Sequence, residues 1–155
     1  PLRMRQHSAN AQALAEYLEG HDKVEWVKYP GLENHPQHDL AKRLLPEGCG
    51  GIVSFRIEGG ADEMNRFANS HELFAKGVSL GDLFTLVYPQ PWRDNLIRIS
   101  VGCEDPSDII ADLDQAVVGI DTAGNGAGDG HRCGLAGQDE RAPEKGCVCT
   151  HIGVK

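Results

Sequence analysis

Apolar residues recur along this chain with two periods. Over residues 8–19, Ala11, Leu14, Ala15 and Leu18 fall at helical spacing, Ser8 and Asn10 stand upstream of the stripe, and Gly20 supplies a terminator. Residues 24–29, rich in Val, Trp and Tyr, predict a strand that Pro30-Gly31 stops. A short helix is expected over 38–45, ahead of Pro46. Gly50-Gly51 then leads into 52–57, where Val53, Phe55 and Ile57 alternate with polar neighbours before Gly59-Gly60. Met64, Phe67 and Ala68 mark a helix over 61–69. Residues 73–80 predict a further strand, followed by a turn at Gly81-Asp82. Residues 83–88 are apolar and aromatic, and Pro89 to Asp94 reads as a loop.

The stretch 95–105 is the most informative. Ile97, Ile99 and Val101 share one face by the two-residue period, which leaves Arg98 and Ser100 on the other. A guanidinium held on a strand suits a carboxylate, which it can grip with two parallel hydrogen bonds. The plain alternative for a half-buried arginine is pairing with an acid such as Glu104. Asp105 is placed as a helix N-cap, Pro106 as the first helical residue and Asp108 as a favourable charge in the first turn. Ile109, Ile110, Leu113, Ala116 and Val117 continue as a helical stripe.

The order is therefore helix, strand, helix, strand, helix, strand, strand, helix. Short connections and alternating strands predict an α+β fold: a small, mostly antiparallel sheet with helices packed on one face. Beyond residue 120 the chain becomes glycine-dense and loses periodicity. The expectation is an organised part over 1–120 and a disordered or loosely attached tail over 121–155.

Composition narrows the function. The chain has 155 residues, enough for one domain with a true core. A net charge of -8 without any basic cluster argues against a nucleic-acid partner. No apolar run approaches the roughly 20 residues of a membrane span, and no apolar segment of a signal peptide follows Pro1-Leu2-Arg3-Met4. Five scattered cysteines argue against a disulfide framework and for the cytoplasm, with Cys49 and Cys103 expected as small buried apolar residues. His7, His35 and His38 are expected at the surface or at helix ends. The tail carries His131-x-Cys133 and Cys147-x-Cys149-x-His151, residue types that suit zinc, although a Cys-x-Cys pair is atypical and a non-native extension explains the composition equally well. The opening on Pro1, directly in a helical pattern, is what a cut through a longer protein would give; a processed or engineered terminus gives the same.

Several segments stand together in a recognisable order. They are Arg3-Met4 with His7 and Asn10-Ala11, Ala15-Glu16-Tyr17-Leu18, Tyr29-Pro30-Gly31-Leu32, His35-Pro36-Gln37-His38, and Gly50-Gly51 with Ser54-Phe55. Val78-Ser79-Leu80-Gly81, Leu96-Ile97-Arg98-Ile99-Ser100-Val101-Gly102, Glu104-Asp105 and Asp108-Ile109-Ile110-Ala111-Asp112-Leu113 follow. From about Leu2 to Val118 the chain resembles the C-terminal domain of the Cys/Met-metabolism enzymes that depend on pyridoxal phosphate. That group contains cystathionine γ-synthase, cystathionine γ-lyase, methionine γ-lyase and O-acetylhomoserine sulfhydrylase.

The resemblance implies that Arg98 binds the α-carboxylate of an amino-acid substrate. It implies that Ser79 lies at that carboxylate and at the cofactor edge, and that Leu80 helps through its backbone. Val78 falls at a variable position, where an apolar residue looks more like the methionine γ-lyases. The cofactor acts as an electron sink that allows a γ-substituent to leave, while the protein orients the substrate. In this family the Schiff-base lysine, the phosphate cradle and the aspartate at the pyridine nitrogen belong to a larger, preceding domain. None of their motifs occurs here, so the chain alone is expected to be catalytically silent and to work with that domain in a homo-oligomer. The longer loop with a Thr-His motif usual in the family is reduced here to residues 88–95, and the tail has no counterpart in it. Two other readings stay open: a stand-alone amino-acid-binding or regulatory module, and a metal-binding interaction protein working through its tail.

Overall fold

A computed structural model describes residues 1–122, the side chains of 120–122 excepted. The predicted tail and its zinc pattern lie outside the described residues. The elements are α1 (Leu2–Glu19), β1 (Val24–Lys28), α2 (His38–Leu44), β2 (Ile52–Ile57), α3 (Ala61–Asn69), β3 (Ala75–Lys76), β4 (Leu86–Gln90), β5 (Leu96–Ser100) and α4 (Pro106–Thr122). One sheet of five strands runs in the order β1-β2-β5-β4-β3. Every pairing is antiparallel except β3 with β4. Helices α1, α3 and α4 pack on one another and on one face of the sheet, which is the predicted α+β architecture.

The two-residue period sets the faces. Val53, Phe55 and Ile57 of β2, Val87 of β4, and Ile97 and Ile99 of β5 are buried under the helices. They meet Leu14 and Leu18 of α1, Met64 and Phe67 of α3, and Ile109 and Leu113 of α4 in a single core. Ser54, Arg56, Tyr88 and Arg98 take the opposite face, away from the core under the helices, and are only half-buried. Register places Arg98 on the central strand, opposite Ser54 on one side and Tyr88 on the other.

Several boundaries differ from the sequence expectation for identifiable reasons. Helix α1 starts at Leu2, so Ser8 and Asn10 lie inside it rather than upstream of it. Their side chains serve other segments: Gly50 N–H donates to Ser8 Oγ, and Asn10 Nδ2 donates to the carbonyls of Gly102 and Glu104. Only Ala75–Lys76 of the strand expected over 73–80 pairs with the sheet. The N–H groups of Leu73 and Phe74 are instead taken by the Asp112 carboxylate, and beyond Gly77 the chain leaves the sheet edge. The apolar run 83–88 contributes β4, whose strand continues through Pro89 and Gln90, residues expected in a loop. Pro89 is tolerated because the N–H groups on its side of β4 face β3, which ends before reaching it.

Backbone segments approach one another closely around Gly102. A Cβ there would lie 2.4 Å from the Leu83 carbonyl oxygen and 2.7 Å from the Phe84 carbonyl carbon, both rigid backbone. We expect Gly102→Ala to cost about 2–3 kcal/mol, as overpacking that only backbone movement can relieve. Chemical denaturation with an unchanged m-value would report it.

Candidate functional site

The first tether of the site comes from β5. Arg98 Nη2 donates to the carbonyl oxygens of Val78 and Ser79, each at 2.8 Å. Its guanidinium carbon lies 5.1 Å from the centre of the Tyr88 ring, within range of a cation–π contact. Its Nε is buried without a partner. The alternative pairing with Glu104 is not made. Glu104 instead accepts from Thr85, at the backbone N–H (2.6 Å) and the hydroxyl (2.9 Å), and Thr85 Oγ1 in turn accepts from Gly102 N–H.

All four sequence-derived residues therefore come together. Val78 and Ser79 are bound to Arg98 through their carbonyls, and Leu80 follows directly. Val78 and Leu80 are 68% and 62% exposed, so neither is packed into the core. Val78 lines a recess of about 380 Å³ with Tyr88, Pro89 and Trp92. Leu80 lines another, of about 210 Å³, with Met4, Ile52 and Ser100. A cleft of about 760 Å³ lies elsewhere, between α1 and the segment around α2, and touches none of the four. Chemically, this face offers a cation held by two carbonyls with the Tyr88 ring beside it, an arrangement suited to a small carboxylate.

The segment that carries Val78 and Ser79 is anchored from below by a cluster that local sequence patterns did not reveal. Asp112 of α4 accepts from the backbone N–H groups of Glu72 (2.7 Å), Leu73 (3.1 Å) and Phe74 (3.3 Å), from His71 Nδ1 (2.8 Å) and from Gln115. The His71 ring stacks on Phe74 and meets Phe67 edge-on. Burial between these rings pushes the His71 pKa below its usual 6.5 and outweighs the neighbouring carboxylate. The contact is thus a hydrogen bond from a neutral imidazole rather than an ion pair. That state fits the buried, unpartnered Nε2, which is a bare acceptor and not a stranded N–H. For Asp112, burial raises the pKa, but the N–H groups of Glu72 and Leu73, with His71, lower it further still.

Other expectations are corrected here. His7 is 1% exposed rather than superficial, with Nδ1 2.6 Å from the Val101 carbonyl. His35 and His38 do sit at the turn before α2 and at its start. Cys49 and Cys103 are half-buried free thiols rather than fully buried ones. Asp105 is the N-cap as expected, accepting from Ser107 N–H. Among the described residues no cluster of His, Cys, Asp and Glu could hold a metal. No helix among them is long and apolar enough to cross a membrane.

Comparison with known proteins gives this geometry a context. The family described as Cys/Met metabolism PLP-dependent enzyme matches residues 1–118. The chain is 42% identical to a homocysteine synthase of Schizosaccharomyces pombe, covering 75% of this chain and 31% of that one. It is 42% identical to a cystathionine gamma-lyase of Sus scrofa (75% and 32% covered) and 40% identical to an L-methionine gamma-lyase of Treponema denticola (75% and 33%). The chain belongs to the pyridoxal-phosphate-dependent family of Cys/Met metabolism. It spans about a third of the length of these curated relatives.

The residues present suit an edge of a cofactor site more than its centre. The segment around Arg98 offers the Ser79 hydroxyl, but the nearby amines are engaged elsewhere: Lys28 lies over Trp26, and Lys76 donates to Asn69.

Proposed function

We propose that this chain is the C-terminal, substrate-binding part of a cytoplasmic enzyme of sulfur amino-acid metabolism. In this reading residues 1–120 form the domain and 121–155 a loosely attached tail. The enzyme acts by γ-elimination or γ-replacement on substrates of the methionine, cystathionine or O-acyl-homoserine type. The observation that carries the reading is the convergence of two separate family segments, with Arg98 holding Val78 and Ser79. Arg98 binds the substrate α-carboxylate, Ser79 adds its hydroxyl at the carboxylate and the cofactor edge, and Leu80 contributes through its backbone. Val78 lines the substrate side.

Pyridoxal phosphate, when bound, supplies the electron sink for chemistry at the substrate carbons. This chain's own task is orientation. A guanidinium braced on a central strand removes much of the rotational freedom of a small amino acid before any bond changes. Val78, Leu80, Leu83 and Phe84, in and just after the segment that Arg98 holds, are exposed apolar residues. Apolar exposure of that kind supports docking of a larger, cofactor-binding domain, with the whole assembling as a homo-oligomer.

The test is turnover of a thioether amino acid in the presence of pyridoxal phosphate. The 155-residue chain alone is expected to give none, whereas a polypeptide that also carries a lysine-bearing larger domain is expected to be active. Turnover by the chain alone would overturn the division of labour. Carboxylate binding without turnover in any longer form would favour a stand-alone amino-acid-binding module, which the self-contained grip of Arg98 on Val78 and Ser79 also supports.

A further inference from the structure

The strand that carries Arg98 holds the same segment at a second point. Ser100 follows two residues later on the same face, only 2% exposed, and its Oγ accepts the N–H of Gly81 at 2.9 Å. Gly81 sits at φ +72, a left-handed conformation open to glycine, and this lets the segment turn its N–H down onto the strand. Among the described residues, segment 78–81 is thus tied to β5 by Arg98 at its start and by Ser100 at its end.

We infer that Ser100 is a positioning residue of the carboxylate clamp, holding Val78, Ser79 and Leu80 in place through Gly81. The inference rests on the reading of Arg98 as that clamp. The two ties differ in what a ligand does to them. A carboxylate arriving at Arg98 shares the guanidinium with the carbonyls of Val78 and Ser79, so the first tie weakens as the ligand binds. The Ser100–Gly81 bond uses no atom that a carboxylate needs. It keeps the segment in place while Arg98 turns its donors toward the ligand, so the ordering of 78–81 is spent before binding rather than during it. Ser100 also lines the recess of about 210 Å³ beside Leu80, where Met4 and Ile52 leave open space next to its side chain.

The experiment uses the full 155-residue chain with methionine as the probe, followed by nuclear magnetic resonance. Ser100→Ala is expected to speed amide exchange at Gly81 and to weaken methionine binding roughly tenfold, the loss of one ordered hydrogen bond. Ser100→Thr is expected to restore both, because it keeps the hydroxyl and its extra methyl can enter the recess. A general loss of packing would not be rescued in this way. If Ser100→Ala binds methionine as tightly as the wild type while Arg98→Ala does not, Ser100 has no positioning role and the clamp stands. If the wild type and Arg98→Ala respond to methionine alike, the clamp reading fails and the role of Ser100 fails with it.

Discussion

Asp112→Ala is expected to be among the most destabilising single changes in this domain, at about 3–4 kcal/mol, a large share of a typical domain's total. The reason is the number of donors that would lose their acceptor together. Three consecutive backbone N–H groups, the His71 imidazole and the Gln115 amide all converge on this one carboxylate. The side chain is 6% exposed, so water has little room to replace it. Each buried donor left unsatisfied costs more than an average hydrogen bond contributes. Thermal unfolding should show the midpoint lowered by about 10 °C or more. Asp112→Asn keeps one acceptor oxygen but adds a donor facing other donors, and should cost about 2 kcal/mol. An Asp112→Ala midpoint within about 2 °C of the wild type would mean that the segment 71–74 is held by something else.

The same cluster sets a direction for acid sensitivity. The His71 pKa is depressed below 6.5 in the fold, so the unfolded chain binds its proton first as pH falls. Stability from the neutral imidazole is therefore present above pH 6.5 and declines as pH drops toward the lower folded value. Asp112, also depressed, adds a second loss that sets in below its ordinary 3.8. Both slopes have the same sign, so the wild type should lose stability on acidification from about pH 6.5 downward. His71→Phe should remove the upper part of that slope, and the pH series of denaturation midpoints reads it directly.

How much of this was legible in the sequence depended on whether a residue's partner is local. Strands β2 and β5 followed from strict alternation, and the start of α4 followed from Asp105-Pro106, because both signals act over a few residues. The late start of the predicted strand 73–80 did not, since the N–H groups of Leu73 and Phe74 are claimed by a carboxylate on α4, distant in sequence. For the same reason His7 read as a surface residue, although its ring is fixed by the Val101 carbonyl on the far side of the chain. At the site, Arg98, Val78, Ser79 and Leu80 could be named because two segments of one family stood in order. The roles of Ser100, and of Glu104 as the acceptor for Thr85, could not. A buried hydroxyl and a half-buried acid reveal their partners only when distant segments are brought together.

Arg98→Ala should weaken methionine binding by about a hundredfold or more, the usual scale for removing one partner of a hydrogen-bonded charge pair. Two losses combine in that figure. The carboxylate loses its cation, and the carbonyls of Val78 and Ser79 lose the donor that brings them to the strand. Arg98→Lys separates the two, since it restores the charge without the planar fork that serves carboxylate and carbonyls together. It should recover only a minor part of the affinity. The ligand provides the matching control: methioninol, which lacks the carboxylate, should bind the wild type weakly, yet better than methionine binds Arg98→Ala, because the bracing of Val78 and Ser79 survives. Combining both changes should cost little more than Arg98→Ala alone, which is the signature of a direct pairwise contact. Fully additive losses would mean that the carboxylate is held elsewhere and that Arg98 serves only to brace the segment 78–81.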